Sequence, residues 1–231
     1  MNSSLGVWVS PSSHYNGGLD NDWAQQQGYE VFSKGDNSRK FLCLAGEKYN
    51  TAFRNNLVEL VEKFGISHIK FDGISLICPA SDHGHSPQWD SYEPIARGMI
   101  KIFKALRQAN EDIWLEATCF GWDPSPWWLF YVNSLIGTYG TDYPQPRVPC
   151  PVLRNAQLLN IPIKAQQVLG IIHQTPTSFM DDAVTTVMRG HNFLPMYINP
   201  EYMNELRYKQ LARLLKWTRA NHSLLQNTVP L

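Results

Sequence analysis

Cysteine is scarce in this 231-residue chain: Cys43, Cys78, Cys119 and Cys150 stand alone, with no two close in sequence. That spacing excludes a zinc ribbon, a redox Cys-x-x-Cys and a small disulfide scaffold, and leaves buried thiols as the reading. Net charge is missing too, since 20 basic side chains balance 20 acidic ones. Nothing in that balance favours nucleic acid or an acidic membrane as a partner. No apolar run reaches the ~18 residues of a membrane span. Leu5-Gly-Val-Trp-Val9 begins too early to leave room for a signal peptide. The chain reads as soluble, and a secreted or periplasmic location for a longer form stays open. Neither Gly-x-Gly-x-x-Gly nor a Walker loop follows any apolar segment, which removes the usual support for nucleotide binding.

What the chain does have is aromatic residues: Trp 8, Tyr 10 and Phe 10 within a composition that is 43% hydrophobic. Core packing accounts for most of them. Trp-rich loops also suit sugar faces, whose C–H groups stack on rings while hydroxyls hydrogen-bond at the rim. The length suffices for one large core, so a single domain over 1–231 is expected.

Short apolar strands alternate with amphipathic helices. Strands are expected at Leu5–Val9, Ile66–Phe71, Ile113–Thr118, Leu135–Tyr139, Val168–His173 and Phe193–Ile198. Residues 12–46 form a long polar loop with room for a small hairpin, and 75–92 form another. Phe53, Leu57, Leu60, Val61 and Phe64 recur at helical spacing over 51–64, as do Ile95, Met99, Ile102, Phe103 and Leu106. Further helices are expected near 126–134, 151–159 and 179–189, and from about Glu201 to Leu225. Six βα units in a row predict a parallel α/β sheet, either doubly wound or a (β/α) barrel. Without a phosphate-binding loop the barrel is favoured. Six strands of the usual eight imply that the first two units are missing.

Lys70-Phe-Asp72-Gly73 carries the chemistry. Strand residues i and i+2 share a face, so Lys70 and Asp72 project together from a strand's carboxyl end, where parallel α/β folds build their sites. An ammonium beside a carboxylate holds it ionised, as a carboxylate nucleophile must be. Asp-Gly after an apolar run is also an ordinary turn signal.

Lys70-Phe-Asp72 resembles the Lys-aromatic-Asp signature at the end of the fourth barrel strand in clan D α-galactosidases, glycoside hydrolase families twenty-seven and thirty-six. Several segments resemble, in order, a family-thirty-six-like branch found in bacterial and metagenomic sequences. They are Gly6-Val-Trp-Val-Ser-Pro11, Gly28-Tyr-Glu30, Phe41-Leu-Cys-Leu-Ala-Gly46 with Tyr49, Ser125-Pro-Trp-Trp-Leu129, Tyr197-Ile-Asn-Pro200 and Leu211–Arg219. The resemblance implies barrel strands three to eight of a (β/α)8 TIM barrel, carbohydrate metabolism and a retaining α-glycosidase acting on a carbohydrate substrate without a cofactor. Asp72 becomes the nucleophile and Asp142 the acid/base, with a turn or capping role as the competing account of Asp142. Retaining chemistry requires the two carboxyl groups roughly 5–5.5 Å apart, one ionised and one protonated.

Lys70, Trp8, Glu116, Trp122, Asp123 and His173 are the candidate substrate-binding residues. Four of them have a bland alternative: an ion pair for Lys70 and Glu116, core packing for Trp8, and capping or hydrogen bonding for His173. Trp127 and Trp128 divide between substrate contact and helix packing. Asp82-His-Gly-His85 suggests a metal, but no third ligand stands near it, so it reads as a solvated loop and no metal is expected. The branch's Trp/Gly-rich sequence after Ser-Pro is replaced here by Ser12-Ser-His-Tyr15. A missing amino-terminal segment or a second copy of the chain could complete the barrel. A catalytically inactive sugar-binding barrel fragment and a doubly wound enzyme of unrelated chemistry are the alternatives. Strand order separates the latter from a barrel.

Overall fold

Alternation of apolar residues decides which way each strand faces. The computed structural model describes residues 3–15, 21–34, 40–118, 120, 125–137, 166–168, 179–188 and 200–226. They fall into two units, Met1–Asn133 and Ser134–Leu231.

In the first unit β1 (Gly6–Val9), β4 (His68–Phe71) and β5 (Trp114–Thr118) form a parallel sheet with β4 in the middle. These strands lie side by side in chain order, with no reversal at β4. Ile69 and Phe71 are fully buried on one face, where the Phe71 ring meets Phe103 edge-on. His68, Lys70 and Asp72 occupy the opposite face. Phe103 belongs to α3 (Tyr92–Ala109), which meets the buried face and packs on α2 (Glu47–Phe64).

All five expected apolar positions of α3 are buried. Gly98 lets that helix approach closely, because a Cβ there would stand 2.4 Å from the Leu44 carbonyl oxygen. Helix α2 starts four residues before the expected Thr51. Tyr49 donates its hydroxyl to the Pro11 carbonyl, and Asn50 donates its amide to the Leu44 carbonyl, so tertiary contacts extend the helix. At its other end Phe64 is exposed, next to the left-handed cap at Gly65.

The long polar stretch after β1 holds α1 (Asn21–Gln26) and the antiparallel hairpin of β2 (Val31–Ser33) and β3 (Lys40–Leu42). The expected helix near 126–134 is a single 3₁₀ stretch, Pro126–Phe130. Asn133 ends this stretch: its backbone N–H donates to the Leu115 carbonyl while its side chain accepts from the Leu115 N–H. Trp128 is fully buried against Phe103 and Phe120, the packing role of its two readings.

In the second unit β6 (Ser134–Gly137) pairs in parallel with β7 (Gln166–Val168). Helix α4 (Phe179–Met188) packs on α5 (Glu205–Ala220) through Phe179, Ala183 and Leu211. The single helix expected over 201–225 is divided. A 3₁₀ turn spans Pro200–Tyr202, Asn204 caps α5 by accepting the Arg207 N–H, and α6 (His222–Gln226) follows Asn221. The expected elements at 151–159 and 193–198 lie outside the described residues. No described helix is long and apolar enough to cross a membrane.

Candidate active site

Trp8, Lys70 and Glu116 stand opposite one another on three adjacent strands. Asp72 follows two positions beyond Lys70, at the carboxyl end of β4. Its backbone N–H donates to the Val9 carbonyl at 2.9 Å, which continues the ladder and fixes the direction of the side chain. Each carboxylate oxygen then has its own donor. The Trp8 indole N–H reaches Oδ2 at 3.2 Å, and the Tyr15 hydroxyl reaches Oδ1 at 3.2 Å. The two rings lean on each other with centroids 5.3 Å apart. Asp72 is 8% exposed, whereas Trp8 and Tyr15 are 59% and 51% exposed. An enclosed acid beneath two open aromatic faces suits a polar ring with apolar C–H patches.

Gly73 explains how Tyr15 comes so near. It holds a left-handed φ of +70°, and a Cβ there would lie 2.6 Å from His14 Cβ and 2.8 Å from Tyr15 Cε2. Only glycine fits both the turn and the contact. The loops after β1 and β4 are joined here, with Ser12 Oγ accepting the Ser75 N–H at 2.9 Å and the Ser10 hydroxyl donating to the Gly73 carbonyl at 3.4 Å.

The electrostatics correct one expectation. Burial pushes the Asp72 carboxyl above its ordinary value, against the opposing pull of the Lys70 charge, the Tyr15 hydroxyl, the Gly73 N–H and the Trp8 indole. Lys70 does favour ionisation, as its spacing predicts, but desolvation outweighs it. The carboxylate paired with Lys70 is Glu116, at 3.9 Å; Glu116 also lies 3.6 Å from His68 Nε2. Glu116 is fully buried, and its oxygens accept no hydrogen bond among the described residues. The ion-pair alternative for both residues is therefore present.

Asp142, Trp122, Asp123 and His173 lie outside the described residues. A cavity of about 470 Å³ lies away from Asp72, bounded by α3 residues such as Tyr92 and Arg97 and by Trp127 and Tyr131. Asp72 does not border it. Tyr15 was missed in the sequence, where it read only as part of a departure from the usual loop. Its signal was the short polar run from Ser10 to Tyr15 directly after a strand. The solvated-loop reading of Asp82-His-Gly-His85 also needs correction. That loop is not simply solvated: His83 and His85 fold onto the buried Cys43 and Cys78.

No protein-family profile matches the sequence, and no curated protein matches it by sequence. Solved structures do match. A GH36 α-galactosidase from Geobacillus stearothermophilus, solved with 1-deoxygalactonojirimycin, aligns with 97% of this chain at a TM-score of 0.66 and 11% identity. The galactosidase domain of an α-galactosidase–sucrose kinase aligns with 96% at 0.67 and 15% identity. The chain shares the fold of GH36 α-galactosidases. An α-L-fucosidase from Paenibacillus thiaminolyticus aligns with 99% of it at 0.61 and 12% identity. The chain spans 32%, 30% and 39% of these three proteins. The GH36 fold is thus matched over nearly the whole chain but over a minor part of each neighbour.

Proposed function

We propose that this chain is the catalytic region of a retaining α-glycosidase of α-galactosidase type, comprising strands three to eight of a (β/α)8 barrel. Asp72 is the nucleophile: its ionised form attacks the anomeric carbon and forms a glycosyl-enzyme ester. Asp142 protonates the departing oxygen and then takes a proton from the water that hydrolyses the ester. Lys70 and the donors from Trp8 and Tyr15 stabilise the charge that Asp72 carries before attack and regains on release. The exposed faces of Trp8 and Tyr15 receive the sugar.

The observation that carries this reading is Asp72 itself, enclosed at the end of a parallel strand with a separate side-chain donor on each oxygen. Strand order supports a barrel over a doubly wound sheet, since β1, β4 and β5 lie in chain order with no switch point beside the acid.

The test uses an aryl α-galactoside. Asp72→Asn is expected to lower turnover by about a thousandfold or more, with its circular dichroism unchanged. Asp72→Gly with added azide should regain part of the turnover and yield the β-galactosyl azide. Undiminished hydrolysis by Asp72→Asn would falsify the nucleophile assignment. A second reading, a sugar-binding barrel that does not hydrolyse, is favoured by the net upward push on the Asp72 carboxyl. Calorimetric binding of galactosides without turnover in the native chain is its signature.

A further inference from the structure

Outside the Asp72 site, four side chains with metal-binding atoms converge from three places in the chain. Cys43 follows β3, Cys78 lies in the loop after β4, and His83 and His85 sit on the excursion between Cys78 and Gln88. That excursion is closed at its base, where Gln88 donates its N–H to the Cys78 carbonyl at 2.8 Å in an antiparallel bridge. The sulfur and ring-nitrogen atoms of the four all lie within 4.8 Å of one another. Cys43 Sγ is 3.2 Å from His85 Nε2, and Cys78 Sγ is 3.3 Å from His83 Nδ1. Tetrahedral zinc, with Zn–S near 2.3 Å and Zn–N near 2.0–2.1 Å, requires ligand atoms roughly 3.3–3.8 Å apart. The two shortest separations already fall close to that spacing.

The surroundings are arranged for the same purpose. Both cysteines are fully buried, and the His83 side chain is 5% exposed. The His85 Nδ1–H donates to the Ser86 carbonyl at 2.8 Å, which fixes the tautomer and leaves Nε2 with its lone pair toward the sulfurs. Glu30 holds both halves of the cluster. Its carbonyl accepts the Cys43 N–H at 2.9 Å, and its Oε1 accepts the N–H of Gly84, between the two histidines, at 3.1 Å. The His83 ring also meets Phe32 of β2 edge-on.

We propose that Cys43, Cys78, His83 and His85 form a structural zinc site that staples the loop after β4 to the hairpin inserted after β1. Two thiolates and two neutral imidazoles balance the ion's charge, and four protein ligands leave no open position for catalysis. The hairpin is in turn joined to the loop bearing Tyr15, because the Leu42 N–H donates to the Ser12 carbonyl. Zinc would thereby hold the two loops flanking Asp72 in register. The site is independent of the glycosidase proposal: zinc content can fail while Asp72 still acts, and the reverse.

The test is metal analysis of the untagged full chain expressed with zinc in the medium. About one zinc ion per chain is expected, falling to near none in the Cys43→Ser, Cys78→Ser double variant. Since that variant could unfold, cobalt replacement in the unmodified protein is the second measurement. A tetrahedral two-sulfur site gives intense visible bands and a sulfur-to-cobalt charge-transfer band. Zinc release should also accompany modification of the two thiols. Three results would each overturn the proposal: a folded, zinc-free protein with both thiols reduced and no cobalt spectrum; a Cys43–Cys78 disulfide in the native chain; or zinc content unchanged in the double variant.

Discussion

Replacing Tyr15 by Phe isolates one bond at the candidate active site. The ring and its contact with Trp8 remain, and only the hydroxyl that donates to Asp72 Oδ1 at 3.2 Å is lost. A hydrogen bond to a charged group contributes about 1.5–3 kcal/mol. Tyr15 is half exposed, so water replaces part of that, and about 1–1.5 kcal/mol is a reasonable loss. The bond favours the ionised carboxylate more than the acid, so its removal raises the Asp72 carboxyl further above its ordinary value. A loss of about 1.4 kcal/mol corresponds to about a tenfold change in the protonation constant. Two assays read this out. Carbon NMR of the Asp72 carboxyl should titrate at higher pH in the variant. Thermal unfolding should show little difference between the proteins in acid, where Asp72 is protonated in both, and a deficit in the variant that opens as pH rises through the folded-state midpoint. A midpoint that stays put or moves down would refute the claim that Tyr15 supports the charged form.

Two further substitutions test the framework. Gly98→Ala places a Cβ 2.4 Å from the Leu44 carbonyl oxygen and 2.8 Å from Asn50 Nδ2, which forces α3 away from the segment carrying Cys43; a loss of about 1–3 kcal/mol in urea unfolding is expected, and an unchanged midpoint would mean that helix and loop do not touch. Glu116→Gln removes the carboxylate that faces Lys70 on an enclosed sheet face. About 3 kcal/mol should be lost, the low end for a broken buried pair because the Lys70 side chain keeps 16% of its exposure. A Lys70→Met, Glu116→Met double variant should be more stable than the Glu116→Gln single variant, and the opposite order would count against a buried pair.

The strand carrying Asp72 was legible because its signal is local: apolar residues alternate up to Lys70 and Asp72, and glycine follows. Helix α3 was legible for the same reason, since five apolar residues at one period describe one buried stripe. The misses depend on distant partners. Helix α2 begins early because Tyr49 and Asn50 find carbonyls at Pro11 and Leu44. The last helix breaks because Asn204 caps within a run that otherwise reads as continuous. Tyr15 contacts Asp72 only once Gly73 has turned, and the two cysteines meet the histidines only when hairpin and loop have docked. The direction of the Asp72 shift was inverted because spacing reveals a neighbouring charge but not the depth of burial.

That inversion bears on the two readings of Asp72-Gly73. An aspartate serving only a turn stands in water, where ionisation costs nothing, and its folded and unfolded carboxyls titrate alike. Asp72 titrates higher when folded, so the stability tied to its protonated form is fully present below the ordinary carboxylate range. It is lost as pH rises through the folded-state value. At neutral pH the fold thus holds a charge that it would be more stable without, and it commits an indole, a phenol and a lysine to limit that cost. Turn chemistry gives no reason for such an arrangement, since Gly73 alone makes the turn. A nucleophile does give one: it must be sheltered from water, ionised before attack, and close to an exposed aromatic surface that can receive a sugar. Asp72→Asn should accordingly unfold at a higher temperature than the native chain near neutral pH, by more than it does in acid.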